Sequence, residues 1–347
     1  NLQHLTPDQI DKAIDKGIDL DKLYENKQLT PENIDHAIDK GIALDALYTN
    51  RKLTPENIDH AIDKGIALDV LYQCQKPLTP KNIDHAMDKG EELKYLYANQ
   101  KLSPKQIDRA MDIGKDLGSL YFGQTLTQEQ IDKAMDIRKD LKYLYANQTL
   151  TPEQIDKAIE KGEDLFMLYV YKKLSSKQIS RAIDKGIDLD KLYENKHLTP
   201  EQIDKAIDKG IALNWLYAWQ KNLTPENIDH ALEKGEELSS LYADQTLTPK
   251  QIDKAMDIGK DLGYLYCQNL TPEQIDKAID KGIYLDSLYE HQKHMSPKNI
   301  DHAIDKGKDL NVLYYYYQHH KLTPEHIDKA IDKGRDLDIL YYYQHHK

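Results

Sequence analysis

Apolar residues recur in two short groups along the whole chain, separated by stretches rich in charge. Within each group the spacing is i, i+3, i+4, which places the apolar residues on one face of a helix. Counted from the leucine that opens each unit, these are positions 6, 9 and 10, then 16, 19 and 20. The unit of about 24 residues occurs fourteen times, starting at Leu5, Leu29, Leu53, Leu78, Leu102, Leu126, Leu150, Leu174, Leu198, Leu223, Leu247, Leu270, Met295 and Leu322.

The polar positions predict where the helices begin and end. Thr or Ser at position 2, Pro at position 3 in twelve copies and Gln or Asn at position 5 form a capping box in thirteen units, with His326 in the last. Gly at position 13 predicts a left-handed helix end, and Arg138, the single exception, predicts local strain or a different turn. Asp at position 15, as in Asp19 and Asp188, is the predicted N-cap of a second, shorter helix.

Each unit is therefore predicted to be a helical hairpin. Because one hairpin cannot bury its apolar face alone, neighbouring units must stack. We expect an all-α fold, an α-solenoid superhelix of fourteen helix-turn-helix repeats, forming one array over 5–347 with 1–4 as the tail of a preceding repeat. Neither end shows a recognisable polar capping repeat, so we expect a fragment of a longer array or end-to-end self-association.

Composition narrows the partners. The net charge of −12 favours solubility and works against binding to phosphate backbones. Cys74 and Cys267 lie eight repeats apart, so we expect no disulfide between them. We recognise no signal peptide, membrane-spanning run or lipidation motif. The compartment stays unassigned, cytoplasmic or secreted, although the abundant Ile, Lys, Asn and Tyr would fit a bacterial secreted effector.

Charged residues occupy fixed positions on the first helix. Positions 7 and 11 are acidic in nearly every copy, and positions 8 and 12 are mostly basic. They form either an acidic ribbon that binds cations or basic partners, or a ladder of ion pairs between neighbouring repeats, and we favour the ladder. Asn at position 5 accompanies His at position 8, as in Asn33 and His36, whereas Gln accompanies Lys or Arg. This alternation is either a recognition code or matched packing, and we favour packing.

Catalytic and metal chemistry find little support in the sequence. The pairs His319–His320 and His345–His346 offer metal-binding side chains, but adjacent side chains on a helix diverge, which favours a solvated helix end. Isolated Ser, His and Asp residues occur throughout the repeat, so they define no catalytic triad. We therefore expect a protein that is not an enzyme, with no cofactor and no metal.

The most informative positions vary while the surrounding scaffold does not. Position 18 lies opposite the apolar stripe of the second helix, together with positions 21 and 22. Large apolar side chains there are typical interaction anchors, and packing against the next repeat is the alternative. The candidate partner-binding residues are Tyr95, Tyr143, Met167, Trp215, Trp219 and Tyr264.

The opening Leu-Thr-Pro-Glu-Gln of the repeat, followed by an apolar helix and a Gly turn, resembles the DNA-binding repeat of TAL effectors. The resemblance covers about twenty residues of each unit, as in 150–169. It implies DNA reading by the inter-helix turn, here Lys161-Gly162-Glu163. This chain departs from that family in its shorter repeat and in acidic turn residues that would lie near phosphates. In general layout the chain also looks like tetratricopeptide scaffolds, without their 34-residue signature.

Three functions follow as hypotheses. The leading one is a non-enzymatic scaffold that presents an extended surface to a protein or peptide. The first alternative is a nucleic-acid-binding protein that uses one repeat per unit of sequence, which predicts strongly salt-dependent binding. The second is a structural spacer that assembles through its ends.

Overall fold

The computed structural model describes residues 5–25, 29–221, 223–317 and 322–335, in which it contains 27 α-helices and no strand. The first helices of the repeats have ten residues, or nine in the last: α1 Pro7–Lys16, α3 Pro31–Lys40, α5 Pro55–Lys64, α7 Pro80–Lys89, α9 Pro104–Ile113, α11 Gln128–Ile137, α13 Pro152–Lys161, α15 Ser176–Lys185, α17 Pro200–Lys209, α19 Pro225–Lys234, α21 Pro249–Ile258, α23 Pro272–Lys281, α25 Pro297–Lys306 and α27 Pro324–Asp332.

The second helices are shorter, with seven residues in most repeats. They are α2 Leu20–Tyr24, α4 Leu44–Asn50, α6 Leu68–Cys74, α8 Leu93–Asn99, α10 Leu117–Gly123, α12 Leu141–Asn147, α14 Leu165–Tyr171, α16 Leu189–Asn195, α18 Leu213–Trp219, α20 Leu238–Asp244, α22 Leu262–Leu265, α24 Leu285–His291 and α26 Leu310–Tyr317. The predicted second helix of the last repeat, the predicted tail 1–4 and both His pairs lie outside the described residues.

The hairpins stack in order within two compact units, Asn1–Lys173 and Leu174–Lys347. In the first unit α1, α3 and α5 pack in succession, as do α8, α10, α12 and α14. In the second unit α15, α17, α19 and α21 form one row, and α16, α18, α20 and α22 form the other. Each unit is therefore an all-α solenoid of helical hairpins, which confirms the predicted fold class.

The core consists of the six apolar positions that the spacing predicts. In repeat 5 these include Ile107, Ala110, Leu117, Leu120 and Tyr121, all of which are buried. Burying a Leu or Ile side chain contributes about 1.5–3 kcal/mol, and every internal repeat buries the same set. Stability therefore comes from the contacts between neighbouring hairpins, as expected for a repeat array.

The ends of the first helix follow the predicted capping pattern. In repeat 9 the backbone N–H of Gln202 donates to Thr199 Oγ1 at 3.3 Å, and the Thr199 N–H donates to Gln202 Oε1 at 2.9 Å. Gly210 ends that helix with φ 68°. Arg138 has φ 59° and forms the same left-handed turn as the glycines. The prediction of strain there is confirmed, because a left-handed backbone is unfavourable for a residue with a Cβ, and the alternative of a different turn is wrong.

Position 15 precedes the second helix, as predicted, but its side chain does not cap the helix. Asp19 and Asp188 have φ of 44° and 51°, and neither side chain accepts a cap hydrogen bond. The reason is geometric, since a side-chain N-cap requires an extended backbone at that residue. The same left-handed backbone recurs at position 15 in repeats 1 to 13.

The favoured charge ladder is confirmed. In the first unit Asp15, at position 11, accepts from His36 Nε2 at 3.0 Å and from Lys40 Nζ at 2.7 Å. The hydrogen bond from Lys40, followed by that from His36, lowers the pKa of Asp15. Such exposed pairs contribute little stability each, but they join the acidic flank of one repeat to the basic flank of the next.

Position 5 belongs to the same interface. Asn33 Nδ2 donates to Asp11 Oδ1 at 2.7 Å and to the carbonyl oxygen of Pro7 at 3.2 Å. Gln106 Nε2 makes the equivalent bonds to Asp84 Oδ1 and to the carbonyl of the proline that opens the preceding first helix, both at 3.0 Å. Asn33 and Gln106 are buried. The alternation at position 5 is therefore matched packing, and the interpretation of this position as a recognition letter is wrong.

A buried glutamine after the second helix forms a further link between repeats. Gln100 Oε1 accepts from the N–H of Leu78 at 2.9 Å, which holds the two ends of its own repeat together. Gln100 Nε2 donates to the carbonyl oxygens of Tyr72 and Gln75, in the preceding repeat, at 2.6 and 2.9 Å. We call this arrangement the glutamine clamp. It recurs at Gln75, Gln124, Gln148, Gln220, Gln268 and Gln292. Gln245 makes the same two bonds to the preceding repeat.

Candidate partner-binding surface

The outward side of each second helix carries the residues that vary between repeats. Positions 16, 19 and 20 face the core, so positions 18, 21 and 22 point away from it. We call these three positions the variable face. On the first helix, the fixed charged and amide residues contact the neighbouring repeat.

In the first unit the predicted anchors are exposed to different degrees. Tyr143 is 42% exposed, whereas Tyr95 and Met167 are half-buried. Each tyrosine carries a lysine from the preceding position: Lys94 Nζ lies 4.8 Å from the ring centroid of Tyr95, and Lys142 Nζ lies 5.1 Å from that of Tyr143. These ammonium groups occupy the ring faces that a partner would otherwise contact.

In the second unit the two tryptophans lie on α18, one turn apart. Trp219 is 45% exposed, and Trp215 is half-buried. Lys191 Nζ, from position 18 of the preceding repeat, lies 5.1 Å from the Trp215 ring centroid. Position-18 side chains of neighbouring repeats therefore touch, so Trp215 packs against the preceding repeat, while its role in partner binding stays a prediction. Trp219 is the more accessible anchor.

The sixth candidate, Tyr264, borders a cavity of about 440 Å³ between repeats 11 and 12. Tyr264 is 54% exposed, and Tyr284 on the opposite side is 58% exposed. The floor contains Gly263, whose carbonyl oxygen accepts a hydrogen bond from Ser287 Oγ at 2.7 Å. We call this space the Tyr264 cavity. Its remaining lining residues are Asp261, Cys267 and His291.

Sequence reasoning identified Tyr264 but missed Tyr284 and Gly263. Tyr284 stands at position 15, which is occupied by Asp, Ala or Glu in the other described repeats. Gly at position 17 occurs only in repeats 5 and 11 of the sequence. Both departures from the repeat pattern were visible signals, and both fall at this cavity.

The surroundings of the cavity are acidic. Asp261 lines it, and Glu290 lies close enough to Cys267 to affect that thiol. Burial, followed by the Glu290 carboxylate, raises the pKa of Cys267. The lining contains no Lys or Arg among the described residues. The site therefore offers aromatic faces and negative charge.

We next considered metal-binding, thiol and membrane-spanning features in the part of the chain that the structure describes. No group of three or more His, Cys, Asp or Glu side chains is placed there to hold a metal ion. Cys74 and Cys267 are exposed free thiols. Among these same residues, none of the helices has both the length and the apolar character needed to span a bilayer.

Comparison with known proteins assigns no family to this chain. The chain matches no protein-family model and no curated protein sequence. The likeness to TAL-effector repeats therefore remains a local resemblance of the repeat opening. The structure defines the class of protein as a helical hairpin repeat array.

Proposed function

We propose that this protein is a non-enzymatic binding scaffold that holds a protein or peptide partner on its variable face. The observation that carries the proposal is the division of labour within each repeat. The residues at the constant positions form the core, the glutamine clamp and the charge ladder, as Gln100 and Lys40 illustrate. The positions that vary include exposed aromatic residues such as Trp219 and Tyr264.

The second unit is where the proposal is sharpest. Trp219 and Trp215 present aromatic surface from one helix face, and tryptophan is enriched among residues that dominate binding energy. An extended peptide laid across successive second helices would meet one variable position per repeat. Specificity would then depend on the order of position-18, -21 and -22 side chains.

The nucleic-acid alternative gains less support. Lys205 Nζ is bound to Asp184 at 2.6 Å, and Lys234 Nζ to Asp208 at 2.7 Å. Cations that are paired in this way neutralise fewer phosphates, so binding to a DNA or RNA backbone would be weak. We expect no retention of randomised DNA or RNA pools at low salt, and sequence-selective retention would favour this alternative.

Self-association, the second alternative, predicts concentration-dependent sedimentation.

The test uses the fact that Trp215 and Trp219 are the only tryptophans in the chain. Peptides selected from a random display library against the full chain are titrated while tryptophan emission is recorded. We expect the emission to shift on binding. We also expect Trp219→Ala to weaken binding by about tenfold or more, because it removes an anchor that the bound peptide would bury. Ile211→Ala, in the same repeat and 41% exposed, is the matched control and should leave affinity unchanged.

Two results would contradict the proposal. One is that no peptide or protein is retained by the full chain under any condition tested. The other is that peptides bind without changing the tryptophan emission and bind Trp219→Ala, Tyr143→Ala and Tyr264→Ala as tightly as the unmodified chain. In that case the variable face is not the binding surface.

A further inference from the structure

The tyrosines at position 18 show a pattern that explains the Tyr264 cavity. Three repeats carry tyrosine there, and in two of them, repeats 4 and 6, the residue before it is lysine. Those lysines place their Nζ atoms 4.8 and 5.1 Å from the ring centroids of Tyr95 and Tyr143. In repeat 11 the residue before Tyr264 is Gly263, so no ammonium group can reach the ring from that position.

The space beside Gly263 can accept a side chain. A Cβ atom at Gly263 would have Tyr284 as its nearest neighbour, at an ordinary contact distance of 3.7 Å. Repeat 5 shows the filled counterpart: it carries the same Met-Asp-Ile-Gly-Lys-Asp-Leu-Gly segment. There the ring of Tyr143 lies 2.7 Å from a Cβ placed on Gly118. Repeat 12 has Ser287 where repeat 6 has Tyr143, so the large ring that would close the space is replaced by a hydroxymethyl group.

Carboxylates are the most numerous charged groups around this space, which also has His291 in its lining. Lys260 precedes Asp261 along the chain, and its Nζ donates to the carbonyl oxygen of Gly235 at 3.1 Å. Asp261 lines the cavity, and Asp286 on α24 is exposed and precedes the lining residue Ser287 along the chain. Glu290 adds a third carboxylate near Cys267. Aromatic faces together with carboxylates attract cations, which is the chemistry that recognises ammonium groups in proteins.

We propose that the Tyr264 cavity binds the ammonium group of a lysine side chain from a partner polypeptide, over the ring of Tyr264 and between it and Tyr284. The inference rests on the proposed function and adds the chemistry of the partner. The chain itself supplies the precedent, since its own lysines occupy the equivalent ring faces in repeats 4 and 6. In repeat 11 the partner supplies the lysine that the sequence of this chain omits.

The key variant is Gly263→Lys, which gives repeat 11 the Lys-Tyr pair of repeats 4 and 6. Gly263 lies within α22 and is not among the glycines with positive φ, so a lysine there is compatible with the helix. Gly263→Gln is the matched control, because it adds a side chain of similar reach without the charge. Unchanged far-ultraviolet circular dichroism verifies that both variants fold.

The experiment measures the affinity of display-selected peptides for the full chain and the two variants. We expect the peptides to contain an essential lysine, with norleucine in its place weakening binding at least tenfold. We expect Gly263→Lys to weaken binding at least tenfold and Gly263→Gln by clearly less. Equal losses in Gly263→Lys and Gly263→Gln would show that the cavity is filled for steric reasons, and would overturn the ammonium assignment.

The remaining outcomes separate this inference from the proposed function. Peptides that bind the variable face but tolerate both norleucine and Gly263→Lys overturn the inference and leave the scaffold standing. If no peptide binds, the scaffold proposal fails, and the cavity is tested alone with N-acetyl-lysine methylamide. Shifts of the Tyr264 and Tyr284 ring signals in NMR spectra, lost in Gly263→Lys, then support the cavity, and unmoved signals overturn it.

Discussion

At the scale of single residues, the left-handed turn is the most demanding feature of the repeat. Position 13 is glycine in all copies but one, and the exception, Arg138, adopts the same backbone with φ 59°. A left-handed conformation costs a residue with a Cβ about 1–2 kcal/mol. Arg138 Nε donates to Glu163 Oε2 at 2.9 Å, an exposed pair that offsets little of that strain.

Substitution of Arg138 by glycine should therefore release strain. We predict that Arg138→Gly is more stable than Arg138→Ala by about 1 kcal/mol, since both lack the pair with Glu163 and only alanine keeps the left-handed penalty. Urea unfolding followed by circular dichroism measures the difference. Equal midpoints for the two variants would show that the turn tolerates a side chain without strain.

Residue identities explain which of these turns could be predicted from sequence. Gly210 and its counterparts predict the left-handed turn at position 13, because glycine is the usual residue at a left-handed helix end. Position 15 adopts the same conformation but carries Asp, Ala, Glu or Tyr, as in Asp188, Ala212 and Tyr284. No shared side chain marks it, and the tight connection between two helices imposes the backbone instead. An aspartate before a helix then suggests a cap that the geometry excludes.

At the scale of helices, the glutamine clamp determines how successive hairpins are joined. Four repeats replace the glutamine with a longer basic residue: Arg51, Lys172, Lys196 and Lys27, the last of which lies outside the described residues. Lys172 Nζ donates to the carbonyl oxygen of Gln148 at 2.6 Å and so keeps one bond of the clamp. Burial lowers the pKa of Lys172 and of Lys196. At Lys172 the clamp position therefore keeps a donor that reaches the preceding repeat.

Removal of one clamp should weaken the array locally and measurably. We predict that Gln100→Leu lowers the free energy of unfolding by about 2–4 kcal/mol, because the N–H of Leu78 and two carbonyl oxygens lose their buried partner. Gln73→Leu, an exposed glutamine of the same interface region, should change it by less than about 0.5 kcal/mol. A loss at Gln100 no greater than at Gln73 would contradict the structural role of the clamp.

The sequence predicted the candidate site only in part, because the site is built from helices of two neighbouring repeats. Tyr264 was found because position 18 varies on a helix whose apolar stripe is fixed. The cavity beside it needs Gly263 from the same helix and Tyr284 from the turn of the next repeat. Periodicity assigns each residue to a face of its own helix, but it does not say which residues of neighbouring repeats meet across an interface.

At the scale of the molecule, the buried tyrosine in each of repeats 1 to 13 links stability to alkaline pH. Tyr24, Tyr97 and Tyr266 are fully buried, and burial raises the pKa of each from 10.0 to about 12. A raised pKa in the folded state means that the unfolded chain releases these protons first. The stabilising contribution is therefore complete below pH 10 and is lost as the pH rises towards 12.

We predict cooperative unfolding between pH 10 and 12, accompanied by a step in tyrosinate absorbance. Coincidence of the whole absorbance change with ordinary tyrosine titration, while the helices persist, would contradict the role assigned to the buried rings.

The distances along the sequence between bonded residues have a consequence for how such a chain can change over generations. The clamp, amide and ladder bonds join residues 20 to 28 positions apart, as in Lys277 with Asp257 and Gln100 with Tyr72. A recombination event that duplicates one 24-codon unit therefore copies both halves of each interface and inserts a hairpin that already fits its neighbours. Gain or loss of whole units alters the order of the variable-face residues while the contacts between neighbouring repeats stay the same.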